Sequence, residues 1–90
     1  MKIGYDAAKR RKTLAERGLD FDDAATVFVG NHITTADDRI YYGEARFITV
    51  GYLAARMVVV VWTQRQHVRR ILSMRKANDR EQKIYAPSLA

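Results

Sequence analysis

The 90-residue sequence predicts an α+β fold, with two N-terminal helices packed on an antiparallel sheet of about four strands and a C-terminal helix. Three observations predict it: helix-capping residues in the first thirty positions, an apolar β-branched run in the middle, and a capping box near the end. The run is Met57 to Trp62, and its composition is typical of a strand buried on both faces. We therefore expect this strand at the centre of the sheet.

The N-terminal segment predicts a short strand followed by a basic helix. Met1 to Tyr5 could form the strand. Asp6 can cap a helix over Ala7 to Arg17, and Gly18 can end it in the left-handed conformation. Cations cover several faces of this helix and leave a thin apolar stripe, so we expect it to pack shallowly. Either a solubilising surface or a nucleic-acid contact explains the cations.

A second helix is predicted to start at Asp20 and to end at Gly30-Asn31. Its apolar residues recur at i, i+3, i+4 and i+7, which places them on one face; they are Phe21, Ala24, Ala25 and Phe28. Asp22 and Asp23 fall in the first turn, where the helix dipole favours negative charge. A structural role therefore explains both acids without a metal site.

The rest of the sheet follows from alternating and β-branched segments. His32 to Thr35 can form an edge strand, and Phe47 to Tyr52 alternates between two faces, with Arg46 at the strand entrance on the face of Ile48 and Val50. Leu53 to Ala55 is predicted to turn into the central strand. Thr63 to Gln66 is polar, so the chain is expected to return there as a hairpin through His67 to Met74.

The last predicted strand contains a conflict of parity. Val68, Leu72 and Met74 share one face with Arg70, although alternation should separate apolar residues from charge. Either Arg70 lies near a strand end or an opening in the core, or a bulge changes the register between Arg70 and Ser73.

The C-terminal segment predicts a short helix. Asn78 and Glu81 have the spacing of a capping box. The helix is expected to run to about Tyr85 and to be stopped by Pro87, leaving Ser88 to Ala90 as a frayed tail.

Composition and charge limit the function classes. We expect one domain over residues 1–90, in the cytoplasm, because there is no cysteine, no N-terminal apolar signal segment and no run long enough for a membrane span. The net charge of +6 divides into +4 over residues 1–19, −5 over residues 20–44 and +7 over residues 45–90. Such a distribution suits a polyanion on one face, although a solvated basic surface would give the same totals.

An ordered series of residues resembles a known family, the BrnT-type toxins of BrnT/BrnA toxin-antitoxin pairs, nearly from end to end. The series consists of Tyr5-Asp6, Lys9, Leu14, Gly18, Phe21, Ala24, Phe28, Gly43-Glu44-x-Arg46, Arg70 to Ala77, Glu81 and Tyr85. The chain departs from the family pattern at Thr13, where Asn is usual, and at Glu16-Arg17, where a Lys-His pair is usual. Either the first helix contributes less to catalysis than in relatives, or the chain is a weak toxin.

The resemblance implies a RelE-like fold and a metal-independent endoribonuclease that cleaves RNA and halts translation. It implies no cofactor. The expected partners are an RNA substrate and a cognate BrnA-like antitoxin, which binds DNA and inactivates the toxin, so that operator DNA is reached only through the complex. A homodimer within that complex is left open.

Metal-free RNA cleavage needs cations around the phosphorane, a base for the ribose 2′-OH and an acid for the leaving 5′ oxygen. Arg46, Arg70 and Arg75 are the candidates for the cations, because guanidinium forks match phosphate oxygens. Glu44 or His67 could be the base. The expected RNA contacts are Lys9, Arg69, Ser73, Lys76 and Tyr85, of which Tyr85 could equally be a core residue.

Two other functions are compatible with the same basic hairpin. The chain could be a non-catalytic RNA-binding module, or a degenerate toxin that survives as an antitoxin-binding corepressor. Salt-dependent RNA binding without cleavage would indicate the first. Operator binding that requires this chain would indicate the second.

Overall fold

The computed structural model describes residues 1–39 and 42–90. Its elements are β1 (Lys2–Tyr5), α1 (Ala7–Arg17), a 3₁₀ turn (Phe21–Asp23), α2 (Ala24–Val29), β2 (His32–Ala36), β3 (Phe47–Leu53), β4 (Arg56–Arg65), β5 (Val68–Lys76) and α3 (Asp79–Leu89). The predicted α+β class is confirmed. Across the described ranges, no helix has the length and apolarity needed to cross a membrane.

The five strands form one mixed sheet in the order β1-β5-β4-β3-β2. β2 to β5 pair antiparallel in sequence, whereas β1 pairs parallel with β5 at the far edge. The sheet therefore has one strand more than the four expected, because the N-terminal strand β1 joins it. β4 lies at the centre, as its β-branched run predicted.

Alternate residues of β4 face two different layers. Val58, Val60 and Trp62 pack with the 3₁₀ turn and α2 in one core cluster. Met57 and Val59 pack on the other side with Leu89 of α3. Both faces of the central strand are thus covered, which is why its sequence is apolar at successive positions rather than at alternate ones.

α1 has the predicted limits and the predicted shallow packing. The Asp6 carboxylate accepts hydrogen bonds from the amides of Ala8 and Lys9, and Gly18 ends the helix at φ 68°. No residue of α1 is buried. The helix is attached largely by polar contacts, including one in which Arg17 donates to the Met74 carbonyl at 3.0 Å.

The second helix is split. Asp20 caps the 3₁₀ turn by accepting from the Asp22 amide, and α2 begins only at Ala24. Phe21, Ala24 and Phe28 are buried as predicted, and Val27 is buried as well. Val27 was not predicted because the apolar surface that α2 presents to the sheet is wider than the four-residue stripe.

A bulge resolves the parity conflict in β5. Val61 is opposite Ser73, and Trp62 is opposite Ile71, so Leu72 is the extra residue. This confirms the second of the two alternatives, a change of register between Arg70 and Ser73. Its consequence is that Arg70, opposite Thr63, and Arg75, opposite Val59, lie on the same face of the sheet.

Two local predictions are wrong. β4 continues through Arg65, so the hairpin turn is shorter than Thr63 to Gln66 and is centred on Gln66-His67, with Gln66 at φ 55°. α3 continues through Pro87 to Leu89, so Pro87 does not stop it and no frayed tail starts at Ser88. Leu89 is only 5% exposed, and its burial offsets the one helix hydrogen bond that proline removes.

Candidate active site on the sheet

Three rows of side chains cross the face of the sheet that packs against α3. The first row is Arg46, Thr63 and Arg70, the second is Ile48, Val61 and Ser73, and the third is Val50, Val59 and Arg75. Arg46 directly precedes β3, and Phe47 is opposite Trp62, so the antiparallel register places Arg46 beside Thr63. We call these rows the arginine face.

Strand spacing gives the scale of the arginine face. Arg46 and Arg70 flank the central strand, so their Cα atoms lie about 10 Å apart. The third row lies roughly 13 Å from the first along the strands. Thr63 fixes the first row because its hydroxyl donates to the Ala45 carbonyl at 2.6 Å. Arg46 and Arg70 thus lie on either side of β4 in the same row.

Arg46 is held by an aromatic ring and, among the residues that the structure describes, has an unused donor. Its guanidinium carbon lies 4.0 Å from the centroid of the Tyr42 ring. Its Nε atom is buried and makes no hydrogen bond within residues 1–39 and 42–90. A buried donor without an acceptor is costly, so a movement of the side chain that brings this atom to a phosphate oxygen would recover that cost.

Arg70 is half-buried between β4 and β1, where its register partners are Thr63 and Gly4. Among the described side chains it forms no ion pair. The pKa of Asp6 is lowered mainly by the amides of Lys9 and Ala8, and the positive charge of Arg70 lowers it further. Arg70 therefore contributes positive potential at the end of the face where β1 leaves the sheet.

Arg75 differs from the other two arginines because its fork is occupied. It donates to both oxygens of Glu81, at 2.7 and 2.8 Å. Glu81 is also the predicted capping-box residue and accepts from the Asn78 amide at 2.9 Å. These contacts, led by the Arg75 hydrogen bonds, lower the pKa of Glu81 to about 2. Glu81 also raises the pKa of Arg75, whereas partial burial and the nearby charge of Arg39 oppose that rise.

Three further candidates lie on neighbouring elements. Glu44 is half-buried and pairs with Arg65 at 3.3 Å. Tyr85 is half-buried and packs on the core cluster beneath α3, one helical turn after Glu81. His67 is exposed at the hairpin turn.

The remaining predicted RNA contacts lie elsewhere. Arg69 is on the opposite face of the sheet, where its guanidinium carbon lies 4.6 Å from the ring centroids of both Phe28 and Trp62. Lys76 is at the far end of β5, beside a cavity of about 350 Å³ that is also lined by Arg56. Lys9 is on α1 and lines a different cavity, which it shares with Ser73.

The residues that support Arg46 are not among those predicted from the sequence. Tyr42 stacks on its guanidinium, and Thr63 stands next to it on β4. Asp37 is buried, pairs with Arg39 at 2.7 Å, and its amide donates to the Arg46 carbonyl at 2.8 Å. An aromatic residue four positions before an arginine was the only available signal, and it is weak because the intervening loop has no periodicity.

Comparison with known families adds one finding. A family model described as "Ribonuclease toxin, BrnT, of type II toxin-antitoxin system" matches residues 5–81. The matched range includes the whole arginine face. No curated protein matches the chain.

Proposed function

The chain belongs to the family of BrnT ribonuclease toxins of type II toxin-antitoxin systems, and on this premise we propose that it is a metal-independent endoribonuclease whose active site is the arginine face. The substrate is single-stranded RNA, and the reaction is attack of a ribose 2′-OH on the adjacent phosphate. Cleavage of messenger RNA in the cytoplasm would halt translation.

The reaction forms one bond and breaks one. The 2′ oxygen bonds to phosphorus as its proton passes to a base, and the bond from phosphorus to the 5′ oxygen breaks. The departing 5′ oxygen takes a proton from water. The products are a 2′,3′-cyclic phosphate and a 5′-hydroxyl. The additional negative charge on the phosphorane is the feature that the protein must stabilise.

Arg46 supports this proposal most directly. Its Nε donor is buried without an acceptor in the described part of the chain, and Tyr42 holds its guanidinium in place. A desolvated donor without an acceptor stabilises the negative charge that develops on the phosphorane more strongly than a donor in bulk water does. Arg70 lies across Thr63 from it and supplies a second fork for the same phosphate.

The two carboxylates near the face are suited to different roles. Glu81 has a pKa of about 2 and is bound by Arg75, so it is a poor proton acceptor and serves to position that arginine. Glu44 lies at the Arg46 end, and its only ion pair within the described residues is the longer contact with Arg65. We therefore assign the base to Glu44 and a supporting role to Arg75.

A type II toxin has a protein antitoxin as its partner. We propose that a BrnA-like antitoxin covers the arginine face with acidic side chains and blocks RNA. Acidic groups are expected because arginines that the antitoxin buries need counter-charge. Operator DNA is then bound by the antitoxin part of the complex, and a toxin homodimer would form only within that complex.

The proposal is tested by incubating the purified chain with a defined RNA in EDTA and mapping the ends. The expected products carry a 5′-hydroxyl and a 2′,3′-cyclic phosphate. A cell-free translation reaction with the same protein should stop as its messenger RNA is cut. RNA that binds with strong salt dependence but stays intact would contradict the proposed ribonuclease activity and indicate an RNA-binding module. The contact of Arg75 with Glu81 favours that alternative, because it occupies a guanidinium that catalysis would use.

A further inference from the structure

A cavity of about 270 Å³ lies between α1 and β5, at the edge of the sheet beyond the arginine face. Most of its lining residues are hydrogen-bond donors. The donors are Lys9, Lys12, Thr13, Arg17 and Ser73, and the other lining residues are Glu16, Phe21 and Leu72. The proposed cleavage reaction uses none of these residues.

The cavity exists because β5 is longer than its outer neighbour. β1 pairs with β5 only as far as Ile71, so no strand pairs with the outer edge of β5 from Leu72 onward in the described residues. The bulge falls at the same place. α1 covers the gap without burying any residue, and the Arg17 bond to the Met74 carbonyl fixes its distance from the strand. An open space is therefore left between a polar helix face and a strand edge.

The charge of the cavity is positive. Lys9, Lys12 and Arg17 recur at helical spacing along α1 and outnumber the single carboxylate of Glu16. Neither lysine forms an ion pair within residues 1–39 and 42–90, whereas the nearby Arg10 is neutralised by Asp20 and Asp22. Two hydroxyls, on Thr13 and Ser73, complete the set of donors. Compact ammonium groups and hydroxyls suit a phosphate.

Ser73 connects this cavity to the arginine face. It is opposite Val61 in the second row, and it also lines the cavity. RNA that crosses the first row and continues along β5 to the second row would therefore meet the cavity at Ser73, where β5 is no longer paired with β1. We propose that the cavity is a second phosphate subsite, which binds the RNA backbone away from the scissile phosphate; this rests on the proposed function.

The test measures binding of a 2′-O-methyl RNA octamer, which cannot be cleaved by 2′-OH attack, as a function of salt. For Lys9→Gln and Lys12→Gln, the slope of log affinity against log salt is expected to fall by about 0.7 each. The double variant should therefore lose about 1.4 from the slope. Arg11→Gln is the matched control, since Arg11 is exposed on α1 and outside the cavity lining, and its slope should be unchanged.

A dinucleotide with one phosphate separates a local subsite from a general loss of positive charge. It should bind the wild type and the double lysine variant equally, because it occupies only the arginine face. Equal slopes for the double variant and the wild type on the octamer, with Arg70→Gln still weakening binding, would overturn the subsite and leave the proposed function intact. Failure of the wild type to bind either oligonucleotide would overturn both.

Discussion

Arg75 on β5 and Glu81 on α3 form a bidentate ion pair, with N to O distances of 2.7 and 2.8 Å. The same carboxylate closes the capping box of α3. One residue thus joins the start of the C-terminal helix to the third row of the arginine face. The pair holds α3 over the third row, where Val50 and Val59 are buried. Among the described residues, it leaves Arg46 and Arg70 as the arginines of this face with free donors.

Removing the charge of Glu81 should weaken the fold only above acidic pH. Glu81→Gln keeps a side chain that can complete the capping box, so it removes mainly the ionic part of the contact. We expect a loss of roughly 1 kcal/mol in the free energy of unfolding. The pKa of Glu81 is about 2 in the folded chain against an ordinary 4.5. The stabilisation is therefore fully present above pH 4.5, the ordinary pKa, and is lost as the pH falls through the folded-state pKa of about 2.

Urea unfolding of the wild type and Glu81→Gln between pH 2 and pH 7 measures this difference. The two curves of unfolding free energy should converge at the acidic end. A difference that stays constant down to pH 2 would show that the charge of Glu81 does not stabilise the fold.

The aromatic ring under Arg46 should matter for rate rather than for stability. Tyr42→Leu removes the surface on which the guanidinium stacks, so we expect kcat to fall roughly tenfold with little change in KM, because Arg46 is no longer held in one orientation. Tyr42→Phe keeps the ring and should restore the rate to within about twofold of the wild type. Equal rates for the leucine and phenylalanine variants would rule out a positioning role.

Gly51 should not tolerate a larger side chain. A Cβ atom there would lie 2.9 Å from Val27 Cγ1 and 3.2 Å from the Asn31 carbonyl, both on the segment that packs α2 against β3. Gly51→Ala is therefore expected to cost about 1 to 3 kcal/mol in thermal or urea unfolding. Gly30→Ala is the control, since its nearest neighbour would be 3.8 Å away. A neutral Gly51→Ala would mean that α2 can shift without loss.

The turn between β3 and β4 is built from two residues that do not favour its conformation. Ala54 and Ala55 have φ of 51° and 64°, the combination that a two-residue hairpin turn usually takes with Asn-Gly. The double change Ala54→Asn and Ala55→Gly should stabilise the chain by about 1 kcal/mol in urea unfolding. Ala8→Gly, in the exposed helix α1, should instead lower the free energy of unfolding. Destabilisation by the turn variant would contradict this account.

Local signals in the sequence predicted most of the fold. Asp6, Gly18 and Asn78 cap their helices where expected because capping depends on neighbouring residues alone. The end of α3 was mispredicted since the penalty for Pro87 is local, whereas the burial of Leu89 depends on the sheet. The parallel pairing of β1 joins residues more than sixty positions apart, so no periodicity in a short segment could reveal it.

The candidate site was predicted less completely. Arg46, Arg70 and Arg75 were named from the sequence as separate phosphate-binding candidates, and the bulge at Leu72 is the feature that places Arg70 and Arg75 on one face. Arg69 directly precedes Arg70 and is the same residue type. Strand alternation nevertheless puts its side chain on the opposite face, against Phe28 and Trp62. Tyr42 and Glu81 could not be assigned to their arginines from the sequence, because those contacts join separate elements.

Single-turnover cleavage of a defined RNA in EDTA by Arg70→Gln, beside the wild type, tests the central claim most directly. Arg80→Gln is the matched control, because Arg80 is exposed on α3 and lies outside the arginine face. We expect Arg70→Gln to lower the rate by roughly 10²- to 10³-fold, because one donor to a developing oxyanion is removed, and Arg80→Gln to cleave like the wild type. Undiminished cleavage by a folded Arg70→Gln variant would contradict the assignment of the arginine face as the active site.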